Sequence, residues 1–232
     1  ISSIDVSNNP ALLGLNIGDN LISSLNIASN PLLQSLACFR NQLTGINTAA
    51  NPQLVAVNCG WNQITSLDFS NNLLITDISS GPNLLTSLDV SMLPLLVLLE
   101  ARNNQLTSLN VKNGNNVNLT EITVTGNPSL TCIQVDDVAY MNTNWSAGKD
   151  ATASYSTNCA PIVNIPDANF KIALLSNASI NANADGEIQV SEAADFNGAI
   201  SVSGLGIADL TGIEAFPLLT GLVCDGNNLT TI

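Results

Sequence analysis

Apolar residues recur with a fixed period along the first 129 residues. One repeat position is occupied every 21 residues, by Ile1, Ile22, Leu43, Ile64, Leu85 and Leu106. A constant internal period of this length predicts a repeat architecture in which each unit stacks on its neighbours. Within a unit, apolar and polar residues alternate over a few positions, which is the pattern of a short strand with one buried face. We therefore predict six 21-residue units over residues 1–129.

Each unit has two similar halves, and an asparagine ends every second half and the first half of the first four units. The second half follows the pattern L-x-x-L-x-C-x-x-N-x-L, as in Leu33, Leu36, Cys38 and Asn41. We expect this asparagine to turn inward after the strand and to satisfy backbone groups that would otherwise be buried without partners. Stacked in successive units, these side chains would form an asparagine ladder of Asn20, Asn41, Asn62, Asn83, Asn104 and Asn127.

The second-half pattern is the leucine-rich-repeat signature, and the whole resembles the short, 21-residue class of leucine-rich repeats found in bacterial surface proteins. A turn of this length leaves no room for a long convex helix, so we expect a mainly β, slim, right-handed solenoid. The resemblance implies an exported protein, with type IX secretion as one export route.

The 21-residue period is interrupted in residues 130–160, and this segment contains aromatic residues. This segment resembles the C-terminal cap that closes such repeat domains, and a ligand pocket built from its aromatic and acidic side chains is the functional alternative. We interpret Cys132 and Cys159 as one disulfide, which implies an oxidising compartment. Two unrelated thiols are the alternative. Cys38 and Cys59 occupy an inward repeat position, where we expect buried free thiols.

A second domain is predicted to follow. We expect residues 161–166 to be a short linker, residues 167–215 to be a helical, EF-hand-like N-terminal cap, and residues 216–232 to be the first repeat of another leucine-rich-repeat domain. The series I-P-D-A-N-F-K, D-G-E-I and G-I-x-D-L-T-G-I-E-A-F resembles the N-terminal cap of the same family. Asp167 is expected to cap the first helix of this domain.

The two ends of the chain stand in the same repeat phase. Residues 229–232 and residues 1–4 both read L/I-[ST]-[ST]-[LI]. We therefore expect the chain to be a window of a longer tandem array, in which copies follow one another or associate end to end in a filament.

One segment of the second domain matches a metal-binding pattern. The calcium loop D-x-[DN]-x-[DN]-G-x5-E supplies oxygen ligands from fixed positions around a glycine turn. At the ligand positions the chain has Asn181, Asn183, Asp185, Glu187 and Glu192. The asparagine at the first position stands where Asp is usual, which removes one negative charge. We predict a Ca²⁺ site here, and a loop that keeps the turn without the metal is the alternative.

Outward positions of the repeats supply the candidate binding faces. On the second-half strand these positions hold Phe39, Arg40, Trp61, Glu100 and Arg102. Exposed aromatic and arginine side chains are typical of binding hot spots, and strand faces are the usual binding surface of repeat scaffolds. The other outward columns hold Ser, Thr, Asn and Asp. Such ladders would suit an ice or glycan surface, whereas the alternative is that they serve tight turns and backbone hydrogen bonds.

Composition narrows the function further. The chain has 18 Asp and Glu against 5 Lys and Arg, a net charge of −13 and no His. The acid excess disfavours nucleic acid and anionic membranes, and the lack of His excludes a Ser-His-Asp triad and an imidazole metal site. No apolar run is long enough to span a membrane.

We predict a non-catalytic extracellular or cell-surface bacterial protein that serves adhesion, protein binding or a fibre. Its partner would be a protein, a glycan or its own copies, and the alternative is an accessory module of a secreted enzyme.

Overall fold

The computed structural model describes residues 1–182, 184 and 186–230. The chain divides into two compact units, Ile1–Cys159 and Ala160–Ile232. Each unit has its own hydrophobic core. Short 3-10 helices occur at Asn116–Asn118, Ser146–Gly148 and Ile213–Ala215. Across the described residues, no helix has the length and apolarity needed to cross a membrane.

The first unit is built from short parallel strands of three residues each. In chain order they are β1 (Gly14–Asn16), β2 (Ser35–Ala37), β3 (Ala56–Asn58), β4 (Asp77–Ser79), β5 (Ser87–Asp89), β6 (Leu98–Glu100), β7 (Ser108–Asn110), β8 (Glu121–Thr123), β9 (Cys132–Gln134) and β10 (Ser154–Ser156). One sheet has the order β1-β2-β3-β4-β6-β8, and the other has the order β10-β9-β7-β5.

The strand register reproduces the sequence period. Leu36 of β2 pairs with Leu15 of β1 and with Val57 of β3, so equivalent positions of successive 21-residue turns stand side by side. We call each such turn a coil, with coil one at residues 1–21. The central residue of each strand is buried and its neighbours are more exposed, as the alternating pattern predicts. The first unit is therefore mainly parallel β structure, as a leucine-rich-repeat solenoid requires.

The predicted asparagine ladder is confirmed. Asn41 Nδ2 donates hydrogen bonds to Ile17 O at 2.9 Å and to Cys38 O at 3.1 Å, and its Oδ1 accepts one from Ile22 N at 2.9 Å. One side chain thus joins two adjacent coils. Related bonds are made by Asn62, Asn83, Asn104 and Asn127.

A second asparagine ladder runs through the first halves of the coils, and the sequence analysis did not predict it. Asn51 is fully buried, and its Nδ2 donates to Ile27 O at 3.0 Å and to Asn30 O at 2.8 Å. Asn30 and Asn72 make equivalent bonds to the coil before them. In coils two to four, both turns are therefore held by buried or partly buried amides.

The segment predicted as a C-terminal cap packs on the core of the first unit. Helix α1 (Val138–Trp145) is capped at its N-terminus by Asp137, whose side chain accepts a hydrogen bond from Tyr140 N at 3.0 Å. Strands β9 and β10 continue the second sheet. The predicted disulfide between Cys132 and Cys159 is confirmed. Of the other cysteines, Cys38 and Cys59 are free and buried, as expected, and Cys224 is free and partly buried.

The second unit contains helices α2 (Ala168–Leu175) and α3 (Val190–Asp195) and the parallel strands β11 (Ala199–Ser201) and β12 (Gly221–Val223). Asp167 caps α2, as predicted, because its Oδ1 accepts from Asn169 N and Phe170 N. Its Oδ2 also accepts from Ala208 N at 2.8 Å and from Asp209 N at 3.2 Å. One carboxylate therefore ties the start of α2 to a distant loop.

The linker prediction for residues 161–166 is wrong. Val163 and Ile165 are buried in the core of the second unit. Val163 N donates to Ile188 O, and Val190 N donates to Pro161 O, both at 2.8 Å. The segment pairs with a part of the chain more than twenty positions away, and its two apolar side chains belong to the core rather than to a free connection.

The ladder makes a direct prediction about stability. Asn83 is buried and makes three hydrogen bonds, to Cys59 O, to Ser80 O and from Ile64 N. Asn83→Ala removes all three bonds and leaves the buried Ile64 amide without its acceptor, while Cys59 O and Ser80 O keep one bond each, from Asn62 and Asn104. We therefore expect a loss of about 2 kcal/mol in the free energy of unfolding. Urea denaturation followed by circular dichroism measures it.

Asn71 provides the matched control. Its side chain is exposed and has a single 3.5 Å bond, to Ser70 Oγ. Asn71→Ala should change stability by less than about 0.5 kcal/mol. An equal loss in both variants would contradict a structural role for the ladder.

Candidate binding groove

The outward residues singled out in the sequence line one groove of the first unit. Its volume is about 370 Å³, and it spans coils two to five. Its lining consists of Phe39, Arg40, Asn58, Trp61, Ser79, Gly81, Glu100 and Arg102. All four residues of the predicted binding face, together with Glu100, therefore share one concave surface.

The middle of the groove is lined by small residues. A Cβ atom on Gly60 would lie 2.3 Å from Gly81 O, and one on Gly81 would lie 2.1 Å from Arg102 O. Neither site has room for a side chain, so the coils approach one another closely here. Asn58 and Ser79 supply an amide and a hydroxyl beside this glycine track.

Arg40 and Trp61 stand at a left-handed corner of the coil. Their φ angles are 49° and 57°, and Asp19 and Asn103 at equivalent positions have 55° and 52°. Positive φ is uncommon for residues other than glycine and strained for a bulky side chain. The corner backbone is nevertheless held, because Arg40 N donates to Gly60 O at 2.9 Å and Trp61 N to Pro82 O at 2.7 Å.

The aromatic end of the groove is formed by Phe39, Arg40 and Trp61. The Phe39 ring packs on Gly18, where a Cβ atom would come within 2.5 Å of the ring carbons. The Arg40 guanidinium lies 5.7 Å from the centroid of the Trp61 ring and 3.4 Å from Asp19 Oδ1. Trp61 keeps 55% of its surface exposed. A large apolar ring is thus presented to solvent in a fixed position.

The polar end is formed by Glu100 and Arg102. Arg102 Nε lies 2.7 Å from Glu100 Oε1, and the Glu100 side chain is only 13% exposed. That oxygen is buried, and the close approach of Arg102 lacks the geometry of a hydrogen bond. Burial raises the pKa of Glu100 above its ordinary value, and the ion pair with Arg102 and the Gly81 amide only partly offset this effect.

Sequence reasoning missed the groove floor. Gly60, Gly81, Asn58 and Ser79 line or underlie it, yet none is conspicuous alone. The signal was available in the 21-residue register, since Gly60 and Gly81 hold the repeat position of Phe39 and Arg102. Aligning the coils on that column places two glycines between two large side chains.

The outward polar columns serve the turns in several coils. Asp68 Oδ1 accepts from Ser70 N at 2.8 Å, and this bond lowers the pKa of Asp68. Equivalent bonds are made by Asp5, Asn26, Asn47, Asp89 and Asn110. In the hydroxyl column, Thr107 Oγ1 donates to Thr86 O at 3.2 Å. These contacts favour the interpretation that the columns stabilise turns.

The predicted calcium loop is only partly visible, because Asn183 and Asp185 lie outside the described residues. Asn181 Nδ2 donates to Leu175 O at 3.3 Å, while its Oδ1 is buried without a hydrogen-bond partner. Glu187 Oε2 lies 2.6 Å from Lys171 Nζ. Glu192 Oε2 accepts from Gln189 N at 3.0 Å, in the capping box of α3. The described part of the chain contains no group of three His, Cys, Asp or Glu residues able to hold a metal.

Two solved structures are similar to this chain at low sequence identity. No family model and no curated protein matches the chain. The functional domain of InlJ from Listeria monocytogenes, which includes a cysteine ladder, is 19% identical with a TM-score of 0.28. The match covers 100% of this chain and 57% of the chain in that structure. The internalin InlF from L. monocytogenes str. 4b F2365 is 18% identical with a TM-score of 0.44; the match covers 96% and 63%.

Both of these structures are internalins, which are leucine-rich-repeat proteins. The chain spans about three fifths of their length. At these identities and TM-scores the similarity carries no argument about function. The leucine-rich-repeat interpretation of the first unit rests on its own period, strand register and asparagine ladder.

The environment of Glu100 predicts an unusual pH dependence. Because burial raises its pKa, the folded state holds this proton more tightly than the unfolded state. The stabilisation that comes from protonated Glu100 is therefore present at low pH and is lost as pH rises from the ordinary Glu pKa of about 4.3 through the raised pKa of the folded state.

Glu100→Gln should unfold at a higher temperature than the wild type at neutral pH. At about pH 3, where the carboxyl is protonated in both states, the two proteins should match. Thermal melts at both pH values measure this, and a less stable variant at neutral pH would contradict it.

Proposed function

We propose that this chain belongs to a non-catalytic, extracellular bacterial leucine-rich-repeat protein that acts in adhesion by binding a partner in the groove of coils two to five. The observation that carries the proposal is the convergence of Phe39, Arg40, Trp61 and Arg102 around a floor of small residues. Aromatic and arginine side chains that surround a cleft are typical of binding hot spots.

The groove is held in its binding shape by the scaffold beneath it. Its residues lie on or beside strands β2, β3, β4 and β6, which pair in parallel with their neighbours. The asparagine ladder bonds the same coils to one another. A site built on rigid elements loses little conformational entropy when its ligand binds. This preorganisation favours a recognition role.

The chemistry of the first unit supports binding over catalysis. The sequence has no His. Burial raises the pKa of the Cys38 thiol to about 12 and that of Cys59 well above its usual value, so neither thiol supplies a thiolate nucleophile at neutral pH. The disulfide of Cys132 and Cys159 supports an oxidising, extracellular location. An accessory module of a secreted enzyme remains the alternative.

Assembly into a tandem array or filament stays a prediction. It depends on the shared phase of residues 1–4 and 229–232, and residues 231 and 232 lie outside the described part of the chain. Self-association through copies of this chain is thus a separate hypothesis from binding in the groove.

A second proposal concerns Ca²⁺ in the loop of residues 181–192. The buried Asn181 Oδ1 without a partner supports it, because this atom occupies the first ligand position of the pattern. Ca²⁺ prefers oxygen ligands of this kind.

Isothermal titration with CaCl2 tests the calcium proposal. Wild type should bind, and Asn181→Asp should bind more tightly because it restores the usual charge at the first position. MgCl2 is the control, since a flexible loop of this type selects the larger ion. Absence of binding in both proteins would overturn the calcium proposal without affecting the groove.

Adhesion is tested with labelled full chain and intact cells. Labelled wild type should be retained on a panel of bacterial and eukaryotic cells or on mucin. Trp61→Asn removes the exposed ring but keeps a residue that tolerates positive φ, as Asn103 does in the same position two coils later. Retention should fall at least about tenfold, which corresponds to the loss of a hot spot.

Met92→Ala is the control, because Met92 is 61% exposed and is not among the residues that line the groove. It should be retained like the wild type. Equal retention of all three proteins, or no retention of the wild type on any surface, would reject the groove as the adhesion site.

A further inference from the structure

The aromatic and polar ends of the groove lie two coils apart. Trp61 belongs to coil three, and Glu100 and Arg102 belong to coil five. Parallel strands two coils apart are separated by about 9–10 Å. Between them, the residues of coil four that line the groove are the small Ser79 and Gly81. The site therefore accepts a thin group that lies between an aromatic wall and a polar wall.

The groove has little net charge, because each arginine has an acidic neighbour. Arg40 lies 3.4 Å from Asp19, and Arg102 lies 2.7 Å from Glu100. A ligand with net positive charge would approach two guanidinium groups, and a ligand with net negative charge would approach a buried carboxylate in a protein of net charge −13. Charge complementarity therefore favours a neutral ligand.

The polar groups of the groove can both donate and accept hydrogen bonds. The amide of Asn58 and the hydroxyl of Ser79 do both, and the guanidinium of Arg102 donates. The Glu100 carboxylate is an acceptor at the polar wall, where its Oε1 is buried beside Arg102. A carboxylate acceptor pairs well with a hydroxyl donor. An ammonium donor would be repelled by Arg102, which lies 2.7 Å away.

The exposed ring of Trp61, which forms the aromatic wall, favours a ligand that also has an apolar face. The ring of Trp61 is more than half exposed, and its backbone is held at a positive φ that a bulky residue seldom adopts. The favoured ligand is thus flat, neutral and rich in hydroxyl groups, with one face of C–H bonds.

A sugar ring in the pyranose form has these properties. We infer that the groove binds a pyranose unit of a neutral glycan, which stacks on Trp61 and directs its hydroxyls toward Asn58, Ser79 and the Glu100–Arg102 pair. This inference rests on the proposed binding function and names the class of ligand. It places glycan recognition in the groove rather than on the hydroxyl ladders of the other face.

Tryptophan fluorescence gives a direct test, because the chain has two tryptophans. In a Trp145→Phe background, only Trp61 reports. This protein is titrated with neutral tetrasaccharides of glucose, mannose, galactose, xylose and N-acetylglucosamine, with a sulfated oligosaccharide, and with a library of extended peptides. At least one neutral tetrasaccharide should change the Trp61 emission in a saturable way.

Calorimetric binding measurements on variants of the full chain locate the binding site. Trp61→Asn and Glu100→Ala should each weaken binding of that tetrasaccharide at least about tenfold. Met92→Ala should leave it unchanged. A circular dichroism melt of each variant separates loss of the site from loss of the fold.

The outcomes separate the inference from the proposed function. If the peptides or the sulfated oligosaccharide bind through Trp61 and no neutral tetrasaccharide does, the sugar inference is overturned and the binding function stands. If neutral tetrasaccharides bind equally to wild type and Trp61→Asn, the inference is also overturned, because the site lies elsewhere. If no probe binds and cell retention is independent of Trp61, both fail.

Discussion

The hydrogen bonds of buried asparagines between coils are the interaction on which the rest of the first unit depends. A 21-residue coil reverses direction twice, and the carbonyls at those reversals face inward where water cannot reach them. Asn41 and Asn51, one in each ladder, supply amides to these carbonyls. An unpaired buried carbonyl is costly. The ladders therefore fix the conformation of the turns that contain these asparagines, and they fix the register between the coils that they join.

The same constraint makes the groove possible. Because the ladders align the coils, residues 21 positions apart become neighbours, and glycines at positions 60 and 81 open a space beside Trp61. The folded unit also contains two energetically unfavourable features, the positive φ of Trp61 and the buried carboxylate of Glu100. Departures from local preference of this kind are expected at functional sites, where the surrounding structure outweighs them.

The sequence alone could predict the structural features that recur with the 21-residue period. The strands, the ladder of Asn41 and its equivalents, and the buried thiols follow from residue types at fixed spacing. The ladder of Asn51 was missed because the proline that follows suggests only an exposed turn. The linker prediction for residues 161–166 failed because Val163 pairs with Ile188, a contact that no local pattern encodes. The role of Glu100 likewise depends on its burial beside Arg102, which outward periodicity does not report.

Native-state hydrogen exchange of the amides that bond to ladder asparagines tests the central claim most directly. Ile64 N donates to Asn83 Oδ1, and the amide of Ser70, bonded to the exposed Asp68, serves as the reference. If the ladder is the dominant constraint, the Ile64 amide exchanges only through cooperative unfolding of the unit, far more slowly than that of Ser70. Exchange of both amides at similar rates through local opening would show that the ladder is dispensable and that some other interaction holds the coils in register.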